Sequence, residues 1–441
     1  MSATAIQAAE EKMRAAGQHE EAIANFRSAF ERLVAGESGM LESSELSPAS
    51  DVPALADLPS ADGRALERVA VVRLNGGLAT TMGLSQPKSL VEVREGHSFL
   101  DIIIGQAVTL RREYGIPLPL ILMNSEVTRE QTSRALEARG DDGTVEFLQG
   151  IEPKLDADTL DPVSWPARPS LEWAPPGHGD VYGALRRSGM LDKLLEEGFE
   201  YAMISNSDNL GATVDPRIAA YLQSTEAPFL LEVVEGTKAE RKGGHIARRR
   251  DDGRLVLRES AQVPPHDSHS FGDYRHWRYF NTNNLWVGLR ALSDLLERQS
   301  GVLELPLIAN RKTVDPRDSE SPEVIQLESA MGAAIGVFQD ARVLCVPRTR
   351  FAPVKTTDDL LLVRSDVYTL TPDWHLEPLP ERAQALPFVE LDPRYYKLLD
   401  QFEARFPEGP PSLREAQRFV VTGDVTFGSG VVVRGAVEIE S

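Results

Sequence analysis

The chain has 441 residues, of which 41% are hydrophobic and 26% charged, so it is long enough for roughly two or three domains with substantial cores. It contains 47 Lys and Arg against 67 Asp and Glu, and the resulting formal charge of -20 argues against nucleic acid or an anionic membrane as a partner. A single cysteine excludes an internal disulfide, and without a signal sequence or a membrane-length apolar stretch we predict a cytoplasmic protein.

The N-terminal part of the chain is predicted to be helical. Residues 1–36 carry apolar side chains at helical spacing, which indicates one or two amphipathic helices. Residues 37–68 are rich in Ser, Pro, Asp and Gly, which is typical of a linker or surface loop. We therefore assign residues 1–68 to an N-terminal helical segment and linker.

From residue 69 onwards, short apolar runs alternate with helical patterns. The runs cover 69–74, 119–123, 201–205, 229–234 and 341–346, and helices are predicted near 101–113, 127–138 and 180–195. This alternation predicts an α/β domain with a mostly parallel sheet over residues 69–370. Ligands bind beyond the carboxyl ends of the strands in such sheets, so the loops after residues 74, 123 and 205 are the expected site.

Two later segments differ from this pattern. Residues 240–287 combine Gly-rich turns with short alternating runs, which indicates an antiparallel insertion. The final segment, RFVVTGDVTFGSGVVVRGAVEIES, repeats small turn residues between β-branched pairs, which is typical of a parallel β-helix with room for about one turn. We assign residues 371–441 to a linker and a short β-helix domain.

The first candidate site lies in residues 73–89, where a strand runs into Gly76 and Gly77 and the segment ends in Pro87-Lys88-Ser89. Paired glycines let backbone N–H groups approach phosphate oxygens, and Lys88 adds a positive charge. The spacing matches neither a Walker A loop nor a G-x-G-x-x-G motif. An ordinary turn at a strand end is therefore the alternative interpretation.

Two further loops carry polar groups suited to ligands. The segment PPGHGD (175–180) sets His178 between two glycines, where it can donate to a substrate oxygen, although a lone histidine is usually structural. Asp180 is expected to cap the helix that follows. Asp208, in SNSDN (205–209), follows an apolar strand and suits Mg²⁺ bridged to phosphates, with a turn-forming Asn/Asp cluster as the alternative.

The last two candidates lie further along the chain. FNTNNLW (280–286) has three asparagines whose amides can bind sugar hydroxyls, unless the segment is only a turn before a strand. Residues 348–359 concentrate positive charge in an otherwise acidic chain, and Lys355 there precedes a helical pattern and can reach a phosphate. A solvated charged surface is the alternative for that segment.

Taken together, these segments resemble one known family. The motifs LNGGLATTMG and PKS, PPGHGDVYGAL, SNSDNLGATVD, FNTNNLWV and VPRTRFAPVKTTDDLLLVRSDVYTL, with further ones at 122–128, 242–244 and 324–338, occur in the order found in eukaryotic-type UTP–glucose-1-phosphate uridylyltransferases, the UDP-glucose pyrophosphorylases. The resemblance covers about residues 70 to 370, with a fainter match at 423–438. It implies a Rossmann-like, GT-A-like α/β nucleotidyltransferase domain with a mixed sheet and a short C-terminal left-handed parallel β-helix. Arg73 and Ala79 depart from the Lys and Gly usual in that family.

The resemblance also implies roles for individual residues. Those that resemble the UTP site are Leu74, Asn75, Gly76, Gly77, Lys88, Gln149, Gly177, Asp208 and Lys355. Within this set, Lys88 and Lys355 resemble the catalytic phosphate-binding lysines, and Asp208 resembles the Mg²⁺ ligand. Those that resemble the sugar-phosphate site are His178, Asn206, Glu259, Asn281 and Asn283.

The implied reaction is transfer of UMP from UTP to glucose 1-phosphate, with pyrophosphate released. The sugar 1-phosphate would attack the α-phosphorus in line, and because that nucleophile is already ionised no general base is needed. One alternative is a pyrophosphorylase for galactose or N-acetylhexosamine 1-phosphate. Another is a catalytically silent nucleotide-sugar binding protein, which the presence of Asp208 and Lys355 disfavours. A homo-oligomer is possible.

Overall fold

The computed structural model describes residues 2–37, 39–79, 82–140, 143–237, 243–316, 318–383 and 385–441. Three residues of the motifs quoted above, Thr80, Thr81 and Lys242, lie outside the described residues. The α-helices of the described chain are α1 Ser2–Ala15, α2 Glu20–Val34, α3 Phe99–Tyr114, α4 Glu126–Arg139, α5 Val181–Arg187, α6 Met190–Glu196, α7 Pro216–Thr225, α8 Ser268–Phe271, α9 Leu289–Arg298, α10 Thr357–Arg364, α11 Pro393–Tyr396 and α12 Leu399–Arg405. Within these ranges, no helix combines the length and apolar character that crossing a membrane requires.

The strands follow the same chain order. They are β1 Leu46–Pro48, β2 Val69–Asn75, β3 Glu92–Arg94, β4 His97–Ser98, β5 Leu120–Asn124, β6 Val145–Leu148, β7 Glu152–Pro153, β8 Leu155–Asp156, β9 Trp173–Ala174, β10 Tyr201–Asn206, β11 Phe229–Glu235, β12 His245–Arg249, β13 Leu255–Arg258, β14 Tyr279–Gly288, β15 Ile308–Thr313, β16 Glu323–Glu328, β17 Arg342–Cys345, β18 Tyr368–Leu370, β19 Leu376–Pro378, β20 Phe388–Leu391, β21 Ser412–Thr422 and β22 Val432–Glu440. Strands and helices alternate through the middle of the chain, as the sequence pattern predicts.

Most of the elements predicted from periodicity are confirmed. The five apolar runs form β2, β5, β10, β11 and β17, and α3 and α4 lie where helical patterns predict them. The pattern over 180–195 belongs to two short helices, because Gly189 takes a left-handed φ of 72° between α5 and α6. Glycine adopts that conformation without steric cost and commonly ends a helix.

The internal contacts divide the chain into two compact units. The first unit consists of Met1–Val72, Glu146–Ile204 and Asp215–Val346. Its main sheet has the strand order β1-β12-β14-β10-β2, with β11 joined to β14 and β17, and β13 joined to β12. Strand β14 is antiparallel to β10 and β11, the β12–β13 pair is an antiparallel hairpin, and β11 and β17 are parallel.

The prediction of a mostly parallel sheet is therefore wrong, and the sheet is mixed. The chain passes from β11 to β14 by way of the β12–β13 hairpin, which lies in the predicted antiparallel insertion. A parallel neighbour requires a crossover connection, usually through a helix. Because the described part of this insertion forms the hairpin instead, the chain returns to the sheet in the opposite direction.

The two N-terminal helices belong to the core of the first unit. In α2, Ile23, Phe26 and Phe30 lie at helical spacing and are almost completely buried. They pack with apolar residues of α1 and with Leu307 and Leu327. This burial confirms the predicted amphipathic helices. The single cysteine, Cys345, ends β17 and is half-buried, and burial, followed by the nearby Glu235 carboxylate, raises the pKa of its thiol.

The second unit consists of Arg73–Val145, Ser205–Val214 and Pro347–Ser441. The carboxyl end of β2 belongs to this unit and is followed in the sheet by β5. Towards the C-terminus, β20, β21 and β22 form a parallel three-stranded sheet, in which Phe419 lies between Val389 and Val437. Parallel pairing of successive strands agrees with the pattern seen in the sequence. A left-handed β-helix, like the division at residues 68 and 370, stays a prediction.

Candidate active site

In the second unit, the carboxyl end of β2 leads into the glycine pair. The side chain of Asn75 is buried, and its Nδ2 donates to Oδ1 of Asn124 at 2.7 Å and to Oγ1 of Thr132 at 3.0 Å. The hydroxyl of Ser125 donates to the carbonyl of Gly76 at 2.8 Å. A Cβ added to Gly77 would meet no atom within 4 Å. The side chain of Asn75 therefore fixes the turn, and open space remains beside the backbone that follows it.

Lys88 is brought back to this glycine turn by a closed loop. The N–H of Lys88 donates to the carbonyl of Gly77 at 3.1 Å, and the N–H of Ala79 donates to the carbonyl of Gln86, also at 3.1 Å. The loop closes like a hairpin, with Leu78 bridged to Pro87. A lysine eleven positions along the sequence is therefore next to the glycine pair in space.

Lys88 and Asp208 form an ion pair, with Nζ and Oδ2 2.7 Å apart. Both side chains are largely buried, with 21% and 16% of their surface exposed. The second carboxylate oxygen, Oδ1, is buried and has no hydrogen-bond partner among the described residues. Asn206, half-buried at the end of β10, lies two residues before Asp208.

A single carboxylate with an unused oxygen fits the way proteins usually bind Mg²⁺. That ion keeps several waters and is held by one or two carboxylates together with substrate phosphates. The described residues contain no group of three or more His, Cys, Asp and Glu side chains that could enclose a metal by themselves. Asp208 therefore fits an ion shared with a polyphosphate.

Lys355 is tied to the same loop through its backbone. The N–H of Val354, the residue before it, donates to the carbonyl of Asp208 at 3.1 Å. The N–H of Lys355 donates at 2.8 Å to Oδ2 of Asp359, a residue that also forms the capping box with Thr356 at the start of α10. The lysine side chain itself is exposed. Gly77, Lys88, Asp208 and the Lys355 backbone thus lie in one connected part of the second unit.

A second carboxylate beside Lys355 has an unusual proton affinity. Burial raises the pKa of Asp358 to about 6, although its carboxylate accepts a hydrogen bond from the N–H of Leu391 at 3.0 Å. Leu391 ends β20. Asp358 therefore links the start of α10 to the C-terminal strands.

In the first unit, the loop that carries His178 is fastened to the segment after β16. The N–H of Gly179 donates to the carbonyl of Ser329 at 2.9 Å, and the N–H of Ser329 donates to the carbonyl of Pro176 at 3.0 Å. Gly177 has a φ of 80°, and a Cβ there would lie 2.5 Å from the carbonyl oxygen of Ser329. Only glycine fits that position without strain.

A hydrogen bond from the backbone orients the ring of His178. The N–H of Met331 donates to Nδ1 of the imidazole at 2.9 Å. A ring nitrogen that accepts a hydrogen bond carries no proton, so the neutral ring carries its proton on Nε2 and can donate from there. This arrangement suits the predicted donor role.

Three predicted sugar-phosphate residues of the first unit, Glu259, Asn281 and Asn283, are connected by hydrogen bonds. Nδ2 of Asn281 donates to Oδ1 of Asn283 at 2.9 Å and to Oε1 of Glu259 at 3.4 Å, and Oδ1 of Asn281 accepts from the N–H of Asn283 at 2.8 Å. A Cβ on Gly332 would lie 3.3 Å from Nδ2 of Asn281. Gly332 follows Met331, the partner of His178, so these residues surround one short turn.

Two expectations near this loop have different outcomes. The prediction that Asp180 caps α5 is wrong, because its carboxylate makes no capping hydrogen bond. It accepts instead from Arg187 at 2.6 Å and from the N–H of Gly150 at 2.7 Å, which fixes the backbone next to Gln149. Gln149 itself is half-buried, and its base-reading role stays a prediction.

The family to which the chain belongs is shown by comparison with known proteins. A family model described as UTP–glucose-1-phosphate uridylyltransferase matches residues 23–434. The chain belongs to this uridylyltransferase family. The barley (Hordeum vulgare) protein of that name is 41% identical over 429 residues, which is 94% of this chain and 88% of the barley protein. A Schizosaccharomyces pombe protein, named as a probable member, is 42% identical over 85% of this chain and 73% of its own length.

Solved structures of this family agree with the fold. A mutant of the Leishmania major UDP-glucose pyrophosphorylase in complex with UDP-glucose is 43% identical, with a TM-score of 0.94 over 99% of this chain and 94% of that chain. A Trypanosoma brucei structure described as UDP-glucose phosphorylase is 42% identical, with a TM-score of 0.93 and coverage of 99% and 95%. The mixed α/β architecture is therefore that of uridylyltransferases.

Some residues that organise the site of this uridylyltransferase are not apparent from the sequence. Ser329 and Met331 position the His178 loop through backbone atoms, which no residue type reveals. Asn209 is 2% exposed and bonds to the segment that leads to Lys355. Its position next to Asp208 at the end of a strand was the available signal, but the sequence alone cannot separate such a residue from an ordinary turn former.

Proposed function

We propose that this protein transfers UMP from UTP to glucose 1-phosphate, giving UDP-glucose and pyrophosphate with the help of Mg²⁺. The observation that carries the proposal is the Lys88–Asp208 pair, with its unused carboxylate oxygen, beside the Gly76–Gly77 turn. Membership of a family named for this reaction supports it, as does a relative whose structure contains UDP-glucose.

In the proposed reaction, an oxygen of the sugar 1-phosphate forms a bond to the α-phosphorus of UTP. The bond from that phosphorus to the bridging oxygen of the β-phosphate breaks, and pyrophosphate leaves with the electron pair. Such displacements need positioning and charge neutralisation more than covalent chemistry. The amides of the glycine turn, Lys88 and Lys355 would bind the triphosphate oxygens, and no side chain needs to remove a proton.

Asp208 is the proposed Mg²⁺ ligand, through Oδ1 or Oδ2, together with phosphate oxygens of UTP. A bound divalent cation would neutralise the charge that develops on the phosphates. Lys88 now donates to Oδ2, so its ammonium is held within hydrogen-bonding distance of the carboxylate. After release from Asp208, the same ammonium can reach a phosphate.

On the sugar side, the proposed contacts come from groups with fixed orientation. Nε2 of His178 would donate to the sugar phosphate, because Nδ1 is occupied by the N–H of Met331. Asn281 and Asn283 hold each other's amides in place, which suits the binding of hydroxyl groups. Asn206 and Glu259 complete the proposed set, and Gln149 and Gly177 are proposed to contact the uracil base.

A pyrophosphate-release assay tests the reaction. With UTP, Mg²⁺ and each sugar 1-phosphate in turn, we expect glucose 1-phosphate to react at least about tenfold faster than galactose or N-acetylhexosamine 1-phosphate. Preference for another sugar would replace the proposed substrate. Absence of pyrophosphate with every sugar would instead favour a silent nucleotide-sugar binding protein.

The Lys355→Ala variant tests the proposed catalytic group in the same assay. Losing a preorganised cation at the phosphates should lower kcat by about 10²- to 10³-fold. An exposed lysine of the same unit, Lys397, supplies a matched control, and Lys397→Ala should keep the wild-type rate. Normal turnover of Lys355→Ala would remove Lys355 from the mechanism.

A further inference from the structure

Two loops of the second unit are joined through the side chain of Asn209. One is the Asp208 loop, residues 205–214, and the other is the Lys355 loop, residues 347–355. Nδ2 of Asn209 donates to the carbonyl of Arg350 at 3.1 Å, and Oδ1 of Asn209 accepts from the N–H of Ala352 at 3.0 Å. The carboxamide therefore pairs with the Lys355 loop as a peptide group of a neighbouring strand would.

Further contacts extend this pairing on both sides. The N–H of Val354 donates to the carbonyl of Asp208 at 3.1 Å. Three residues beyond Asp208, a Cβ on Gly211 would lie 2.3 Å from the carbonyl oxygen of Thr349, so the two backbones approach as closely as glycine permits. Nη2 of Arg350 donates to the carbonyl of Thr213 at 2.6 Å. The loops are thus fastened together along their length, with Asn209 at the centre.

The Asp208 loop is also held from the side of β2. Nη1 of Arg73 donates to Oγ of Ser205 at 2.5 Å and to the carbonyl of Asn209 at 3.4 Å, and Arg73 is 2% exposed. The Asp208 loop is therefore anchored to β2, and the Lys355 loop is anchored to the Asp208 loop. Lys355 has an exposed side chain, so the location of its ammonium depends on where its backbone is held.

We propose that Asn209 is a positioning residue, which fixes the distance between the carboxylate of Asp208 and the ammonium of Lys355. The inference rests on the proposed function, in which these two groups act on the same triphosphate. Catalysis of this displacement depends on the placement of charges, and a shift of about 1 Å can cost about 10²-fold in rate. Asn209 itself touches neither substrate nor metal, and it acts through Lys355.

A double-mutant cycle tests this inference. We expect Asn209→Ala to lower kcat by about 10²-fold while changing the KM for UTP far less, because ground-state binding does not require the exact placement of Lys355. In the Lys355→Ala background, adding Asn209→Ala should have almost no further effect, since the residue through which it acts is already gone. Asn209→Ser, which also lacks both hydrogen bonds but leaves a smaller cavity, should behave in the same way if Asn209→Ala does not fold.

Gln106→Ala is the matched control for a buried amide that has only a structural role. Gln106 is 3% exposed and donates to the carbonyl of Leu210, the neighbour of Asn209, but bonds to no residue of the Lys355 loop in the described chain. Its effect on kcat, whatever its size, should be the same with and without Lys355. If the effects of Asn209→Ala and Lys355→Ala on kcat also multiply in the double variant, the positioning role is wrong. It is equally wrong if Asn209→Ala leaves kcat unchanged. If Lys355→Ala alone is fully active, the proposed function fails at Lys355 instead, and the two failures are distinguishable.

Discussion

At the scale of single residues, the ion pair of Lys88 and Asp208 connects the proposed binding of the metal to the proposed binding of phosphate. The ammonium lies 2.7 Å from Oδ2 of the carboxylate that we propose as a metal ligand. A cation that binds the carboxylate must therefore compete with Lys88 when no nucleotide is bound. Once a triphosphate is present, its oxygens offer the lysine another partner, and the competition ends.

This competition predicts the metal affinity of Lys88→Ala. In the absence of nucleotide, the variant should bind Mn²⁺ about two- to fivefold more tightly than the wild type, because a partly exposed ion pair is worth at most about 1 kcal/mol. Titration followed by electron paramagnetic resonance of free Mn²⁺ measures this directly. Lys397→Ala removes one charge elsewhere in the unit and should leave the affinity almost unchanged. An unchanged or weaker affinity in Lys88→Ala would contradict the competition.

Residue types alone marked several of these groups as candidates, but did not reveal their connections. Lys88, Asp208 and Lys355 were recognisable because cations, glycines and a carboxylate at strand ends suit phosphates and Mg²⁺. The ion pair joins residues 120 positions apart, which no local pattern encodes. The inward side chain of Asn75 and the tautomer of His178 depend on Asn124 and Met331, so only the fold reveals them.

At the scale of elements, helix α10 joins the proposed catalytic lysine, Lys355, to the C-terminal strands. Its capping carboxylate, Asp359, accepts from the N–H of Lys355, and the carboxylate of the preceding residue, Asp358, accepts from the N–H of Leu391 in β20. Burial raises the pKa of Asp358 to about 6 from an ordinary value of 3.8. The proton is therefore bound more tightly in the folded state. The contribution that this tighter proton binding makes to the free energy of unfolding is fully present below about pH 3.8, and it is lost as the pH rises through about 6.

This shift predicts how stability changes with pH. Between about pH 5.5 and pH 8, the Tm of the wild type should fall relative to that of Asp358→Asn, because only the wild type must ionise a buried carboxyl group. The asparagine keeps an oxygen that accepts from Leu391. Asp373→Asn, at an exposed site, should follow the wild-type curve in thermal unfolding. Parallel curves for the wild type and Asp358→Asn would show that the proton affinity of Asp358 is ordinary.

The elements were predictable wherever periodicity or glycine determines them. Apolar runs located β2, β5, β10, β11 and β17, since buried strands read as continuous hydrophobic stretches. The predicted antiparallel insertion at residues 240–287 covers most of β14, but only the pairing of β14 with β10 and β11 shows that this strand belongs to the main sheet and makes that sheet mixed. The break between α5 and α6 was marked by Gly189, but a glycine within a helical pattern does not by itself reveal a left-handed φ.

At the scale of the whole molecule, the charge of -20 opposes compaction. Like charges spread over one surface repel each other, and dissolved salt weakens this repulsion over distances of about 10 Å at 0.1 M. We therefore expect the Tm to rise as NaCl increases from about 20 to 200 mM, a range over which screening changes strongly. KCl at equal ionic strength should give the same rise, whereas a Tm that falls with salt would show that attractive pairs dominate.

The lone thiol of Cys345 has a practical consequence. Its raised pKa leaves little thiolate at neutral pH, so maleimides will modify it slowly. Replacing it with serine leaves a chain without sulfhydryl groups, in which any introduced cysteine is the sole attachment point for a spin label or fluorophore. Spectroscopists can then follow one chosen position during turnover with no other thiol competing for the label.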